Sequence, residues 1–259
     1  MKKHCKKAVP AILAAITLIL AIRLIVTIFP WAEQGYDTNK GLSYIDTLNK
    51  DSVADNEKLI RQSRDEFTKQ NNAKAAAEKL KNGSFKAIFN DTIFCGDSLV
   101  KSIVEYNVLD NTQVIAKIGA NSSFLGENSG QIANANPKYL VLHFGENELE
   151  QKEQAKYFII RYSNAIKKIK KKLPDTEIFV DSIFPVLKKA YKLEPYTKNI
   201  SYYNPLIKKM ADELGVKYID YTGLKGFFKK SNYDADGIHF VEYFYTKYYL
   251  PYVYTEVHS

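Results

Sequence analysis

Five short apolar segments, residues 87–95, 113–118, 139–144, 177–184 and 216–220, alternate with stretches whose apolar residues recur at helical spacing. Strands that are apolar along their whole length have no solvent face, and strands separated by helices pair in parallel through crossovers. The pattern therefore demands an α/β fold in which helices cover both faces of a parallel sheet. The helices expected between and after the strands are 99–106, 151–173, 200–214 and 240–257. In 151–173, Phe158, Tyr162, Ile166, Ile169 and Leu173 share one face, and Pro174 stops the helix. In open sheets of this kind the functional site lies beyond the carboxyl ends of the strands.

The first 85 residues do not belong to that pattern. Residues 8–29 are apolar except for Thr17, Arg23 and Thr27. As a helix they would span about 30 Å, the hydrocarbon thickness of a bilayer. Lys2, Lys3, Lys6 and Lys7 precede the run and Trp31 follows it, which predicts a single span with its N-terminus inside. Bulky residues from Ile28 to Trp31 stand where a cleavage site needs small ones, so an uncleaved signal anchor is expected rather than a signal peptide. Residues 32–85 then read as a stalk, with a polar segment at 35–50 and a helix-forming, solvated stretch at 51–81 that lacks a sustained heptad. The expected divisions are 1–31 for tail and anchor, 32–85 for the stalk and 86–259 for one catalytic-size domain.

Charge and cysteine content remove several function classes. The net charge is +8, but the four lysines and Arg23 of the first segment account for most of it, leaving 32 basic against 29 acidic residues. A basic nucleic-acid face is therefore not expected. Two cysteines, Cys5 and Cys95, and four scattered histidines supply neither a disulfide framework nor a zinc-type ligand set. Cys95 and His143 lie within expected strands and read as core residues, and the lysines of 167–172 suit a helix C-terminus.

Chemistry-bearing residues stand at the strand ends. After the first strand comes Gly96-Asp97-Ser98-Leu99, where a serine at a helix start exposes its hydroxyl; the same letters are also ordinary N-cap chemistry. Gly119 follows the second strand and lets a backbone N–H approach an oxyanion, or simply makes a turn. Gly145-Glu146-Asn147-Glu148 follows the third, and Asn147 offers an amide donor or a loop cap. Asp236-Gly237-Ile238-His239 follows the fifth, where a carboxylate three residues before a histidine can fix the imidazole as a base.

With these blocks in place the sequence resembles the SGNH/GDSL hydrolases over residues 87–252, and in particular the membrane-anchored type of Gram-positive bacteria. The stretches FNDTIFCGDS, EIFVDSIFPV and NPLIKKMADELGVKYID ahead of DGIHF carry the likeness beyond the four blocks. The resemblance implies a flavodoxin-like three-layer α/β/α sandwich around a five-stranded parallel sheet. It implies Ser98 as nucleophile, His239 as base and Asp236 as its orienting partner. The oxyanion hole would be formed by the N–H groups of Ser98 and Gly119 and by the Asn147 amide, with no metal or organic cofactor. Glu148 departs from the aspartate common at that position, which serves the loop rather than the reaction.

The expected activity is an extracellular serine esterase tethered at the cell membrane. Its substrate would be a short acyl ester, acetyl first, on an envelope or environmental carbohydrate. An O-acetyltransferase using the same acyl-serine, and a non-catalytic surface binding protein of the same fold, are the competing readings. Residues 119–136 and 187–199 are the loops expected to shape the pocket, and the oligomeric state is not encoded legibly.

Overall fold

The strands β1 (Thr92–Gly96), β2 (Val114–Ala116), β3 (Tyr139–His143), β4 (Glu177–Asp181) and β5 (Lys217–Ile219) form one parallel sheet in the order β2-β1-β3-β4-β5. The structure, a computed structural model, describes residues 53–80 and 84–258. The expected anchor (8–29), the cytoplasmic tail and the polar segment 35–50 lie outside the described residues. Among the described residues no helix is long and apolar enough to cross a membrane.

Alternation along each strand splits the core in two. Phe94, Val141 and Phe179 point to one face, with Leu99, Val100, Ile103 and the aromatic C-terminal segment. Ile93, Cys95, Leu140, Leu142, Ile178 and Val180 point to the other. β1 and β3 are buried at every position, as expected of central strands covered on both sides.

The helices follow in chain order as α1 (Val53–Leu80), α2 (Phe85–Ile88), α3 (Ser98–Glu105), α4 (Ser123–Glu127), α5 (Ser129–Ala135), α6 (Ala155–Lys172) and α7 (Ile200–Leu214). α3 packs on the first face; α4, α5, α6 and α7 cover the second. The chain divides after Gln62, and the unit Ser63–Ser259 contains the sheet. Within that unit the end of α1 is not a free spacer: Ala76 and Leu80 are buried, and Lys69 Nζ lies 5.9 Å over the Tyr252 ring.

The final segment runs as helix Glu242–Phe244, a π turn at Tyr245–Tyr249 and helix Leu250–Val257. Pro251 has no N–H to give the preceding turn and its ring crowds the carbonyl there, so the helix widens just before it. The widened turn buries Tyr245 and Tyr249 side by side against the sheet.

Two expectations need correction. Residues 87 and 88, read as the start of the first strand, belong to the helical turn Phe85–Ile88, and the strand begins at Thr92. Residues 119–136, read as a loop, hold α4 and α5.

Candidate active site

Ser98 is the first residue of α3, and its turn is set by two neighbours. Gly96 must be glycine because a Cβ there would lie 2.6 Å from the His143 carbonyl oxygen and 2.4 Å from Val100. Asp97 caps the helix, its Oδ1 accepting the Leu99 N–H at 3.0 Å. The hydroxyl of Ser98 is thereby left at the carboxyl edge of the sheet, at the positive end of a helix.

His239 reaches it from a tight loop. The Asp234 N–H donates to the His239 carbonyl at 2.8 Å, and Tyr233 and Phe240 form a bridge behind it. Buried Phe240 stacks on Phe244 with 3.8 Å between ring centroids, which fixes the loop's exit. His239 Nε2 lies 2.9 Å from Ser98 Oγ, and its Nδ1 lies 2.6 Å from Asp236 Oδ2. Asp236 Oδ1 accepts the N–H groups of Ile238 and His239 at 2.8 and 3.0 Å. Burial works to raise the pKa of Asp236, but the bonds from the His239 ring and the two backbone N–H groups outweigh it and hold it below the usual carboxylate value. An ionised Asp236 fixes the imidazole with N–H at Nδ1 and a lone pair at Nε2 aimed at the serine.

Asn147 stands in the turn after β3. Its entry through Gly145 has φ 138°, where a side chain would also strike Ile183 Cδ1 at 2.5 Å. The Asn147 amide donates to the Ala120 carbonyl at 3.1 Å and leans on Asp97 Oδ2 at 3.5 Å. Glu148 is buried: its two oxygens accept the N–H and hydroxyl of Ser122 at 2.7 and 2.9 Å, and Arg161 from α6 donates to it at 3.0 Å. The change from aspartate thus leaves a loop-supporting carboxylate in place. Gly119 sits after β2 with φ 70°, exposed, next to the Ala120 whose carbonyl holds Asn147.

Ser98, His239 and Asn147 line a cleft of about 260 Å³ with Leu99, Glu146, Leu149, Glu194, Thr197 and Ile238. Of the two segments expected to shape it, 187–199 contributes Glu194 and Thr197, and 119–136 contributes none of these lining residues. Cys95 faces away into the second core, and burial pushes its thiol far above its ordinary pKa, so it is no competing nucleophile.

Behind the cleft lies a second set of ionisable groups. His143 Nδ1 is 3.3 Å from Asp181 Oδ2 and its Nε2 is 3.0 Å from Glu146 Oε1. Tyr249 and Tyr221 donate to Asp181 at 2.8 and 3.3 Å. Asp97, His143 and Glu146 bring one nitrogen or oxygen each within 4.8 Å of one another, close enough to suggest a metal. The chemistry of His143 argues otherwise. Each of its ring nitrogens already faces a carboxylate, Asp181 at Nδ1 and Glu146 at Nε2, so in this arrangement neither is left unpartnered for a cation.

A family model described as GDSL-like Lipase/Acylhydrolase matches residues 96–246. The chain belongs to this family. Solved structures similar to it include a GDSL-like lipase from Bacteroides thetaiotaomicron, 14% identical, covering 64% of this chain and 86% of its own, with a TM-score of 0.49. A lipase/acylhydrolase from Enterococcus faecalis is 15% identical over 64% of this chain and 94% of its own, with a TM-score of 0.46. A carbohydrate esterase family 3 protein from Talaromyces cellulolyticus is 14% identical over 64% and 95%, with a TM-score of 0.47. No curated protein matches the chain. The protein is a GDSL-type serine esterase or acylhydrolase.

Of the five residues expected in the site of this GDSL hydrolase, Ser98, Asp236 and His239 form one hydrogen-bonded chain and Asn147 lines the same cleft, whereas Gly119 is not among the residues that line it. The buried set of Asp97, Glu146, Asp181 and Tyr249 was missed, and His143 was read only as a core residue. It is buried and satisfied, but by carboxylates rather than by carbonyls. A usable signal existed: an acidic residue or histidine closes or follows each of three adjacent strands, at Asp97, His143 and Asp181.

Proposed function

We propose that the protein is a membrane-tethered, extracytoplasmic esterase that removes short acyl groups, acetyl foremost, from carbohydrate through an acyl-serine. The observation that carries the reading is the relay in which His239 Nε2 lies 2.9 Å from Ser98 Oγ and its Nδ1 lies 2.6 Å from Asp236. His239 takes the serine proton as Ser98 Oγ attacks the ester carbonyl, and returns it to the leaving alcohol. Asp236 stays ionised and stabilises the imidazolium. Water then repeats the sequence on the acyl-serine and frees the acid. The oxyanion is met by the N–H groups of Ser98 and Gly119 and by Asn147, which exchanges its long contact with Asp97 for the developing charge.

The cleft supports a small, uncharged acyl group. It is about 260 Å³, polar on several sides and carries Glu146 and Glu194 with no lysine or arginine, which disfavours phosphate-bearing substrates. Each methylene of a longer chain adds about 0.8 kcal/mol of binding only where apolar wall buries it. The tether is supported by the apolar run 8–29 between basic residues and Trp31.

The test is fluorophosphonate labelling together with hydrolysis of p-nitrophenyl esters from acetyl to octanoyl. Labelling confined to Ser98, abolished in Ser98→Ala, and rates that fall with chain length are expected. Labelling that persists in Ser98→Ala sinks the nucleophile, and rates that rise with length replace the glycan reading with a lipid one.

A further inference from the structure

The buried set behind the cleft contains an electrostatic problem. Asp97 is fully buried, Glu146 is nearly so, and their carboxyl oxygens face each other within 4.8 Å. Glu146 Oε1 is occupied by His143 at 3.0 Å and by the Phe184 N–H at 3.4 Å. Its Oε2 is buried and meets no N–H or hydroxyl donor. Asp97 Oδ1 is taken by Leu99, and Oδ2 has only the long contact from Asn147. Two buried carboxylates this close raise the cost of ionising both, and a proton held by one of them relieves it.

We propose that Asp97 and Glu146 share one proton, and that this bridge, backed by His143 and Asp181, is a positioning device holding the Asn147 turn against the Ser98 turn. Asp97 is the donor: its hydroxyl supplies the hydrogen bond that Glu146 Oε2 lacks. Glu146 remains ionised against the imidazolium of His143, whose other nitrogen pairs with Asp181. Burial first, then Glu146, push the pKa of Asp97 well above the ordinary value, while His143 draws that of Glu146 down despite its burial. The other titratable groups facing the set are Tyr249 and Tyr245 from the π turn, Tyr221 after β5, and Tyr162 from α6, all neutral phenols whose pKa burial raises.

The two bridged residues flank the reacting groups in sequence: Asp97 precedes Ser98 and Glu146 precedes Asn147. Loss of the shared proton leaves two carboxylates that repel, and the turns carrying the nucleophile and the amide donor separate. The catalytic consequence rests on the reading of Ser98 and Asn147 given above; the proton bridge itself does not.

The test uses the full-length protein and two readouts. Infrared spectra should show a protonated-carboxyl C=O band in the wild type at neutral pH that is absent in Asp97→Asn. The pH profile of kcat should fall on the alkaline side in the wild type. Glu146→Gln and Asp97→Asn each put an amide donor where the proton was, so that fall should disappear from both, measured against each variant's own plateau. Glu146→Ala, which removes the bridge outright, should lower kcat on the order of 10–100-fold with KM held, as for a misplaced catalytic group. An infrared band unchanged in Asp97→Asn overturns the bridge, and an alkaline fall kept at the same pH by Glu146→Gln overturns its role in turnover. If the wild type neither labels with fluorophosphonate nor hydrolyses esters, the reading of Ser98 fails while the infrared band still decides the bridge.

Discussion

Asp236 uses its two oxygens for two purposes, one bonded to the His239 ring and one closing its own loop through the N–H groups of Ile238 and His239. Asp236→Asn keeps the loop acceptor but removes the charge that fixes the tautomer, so kcat should fall on the order of 10³–10⁴ with the fold retained. Because the folded-state pKa of Asp236 is depressed, its stabilising contribution is present above the unfolded carboxylate value and lost as pH falls through the folded one. Acid titrations of wild type and Asp236→Asn followed by circular dichroism should therefore converge in stability at low pH and diverge above it. Asn147→Ala should lower kcat on the order of 10²–10³ while KM changes little, because its donor acts on charge that exists only in the transition state. A change confined to KM would make Asn147 a substrate-holding residue. At this scale the relay was legible, since Ser98 and the Asp236–His239 pair each sit in local chemistry that needs only a few neighbouring letters. The Asp97–Glu146–His143–Asp181 set was not, because it exists only through the registers that align Gly96 with His143 and bring β4 beside β3.

Glu148 joins three elements that share no sequence: the turn after β3, the Ser122 segment before α4, and α6 through Arg161. Glu148→Ala would leave the Ser122 N–H and hydroxyl without an acceptor, at about 1–3 kcal/mol for each buried donor. A clear drop in thermal midpoint is expected, with Glu148→Gln milder because one acceptor survives. An unchanged midpoint would mean that water reaches Ser122. The strands were readable as apolar runs but came out shorter, because apolar residues continue past the last ladder bond into the loops, as at Ile183 and Phe184. The run around Phe85–Ile88 has no glycine or proline to separate strand from helix, and such short runs are ambiguous by periodicity. There Ile88 and Phe89 donate back to Ser84 and Phe85 at 3.1 and 3.0 Å, closing one helical turn. α4 and α5 were hidden by serine, asparagine and glycine, weak helix formers that are held here by burial of Leu125 and Ile132.

For the whole molecule, the proposed tether predicts that full-length protein fractionates with the membrane and that external protease releases the catalytic unit by cutting within residues 35–50. A mature N-terminus near Ala32 would instead mean that the apolar run is cleaved. The sheet order carries a different consequence. β1, which delivers Ser98, is flanked by strands from later in the chain, and His239 joins the serine from 141 residues away. Its loop is seated by the C-terminal aromatic segment, which docks on the same core. Contacts between residues so far apart in sequence cost the most loop-closure entropy and are slow to form. A chain whose aromatic C-terminal segment has not yet docked therefore has the serine without its base. Reactivity at Ser98 becomes a timestamp, marking the moment at which the His239 loop and the aromatic segment behind it have found their place.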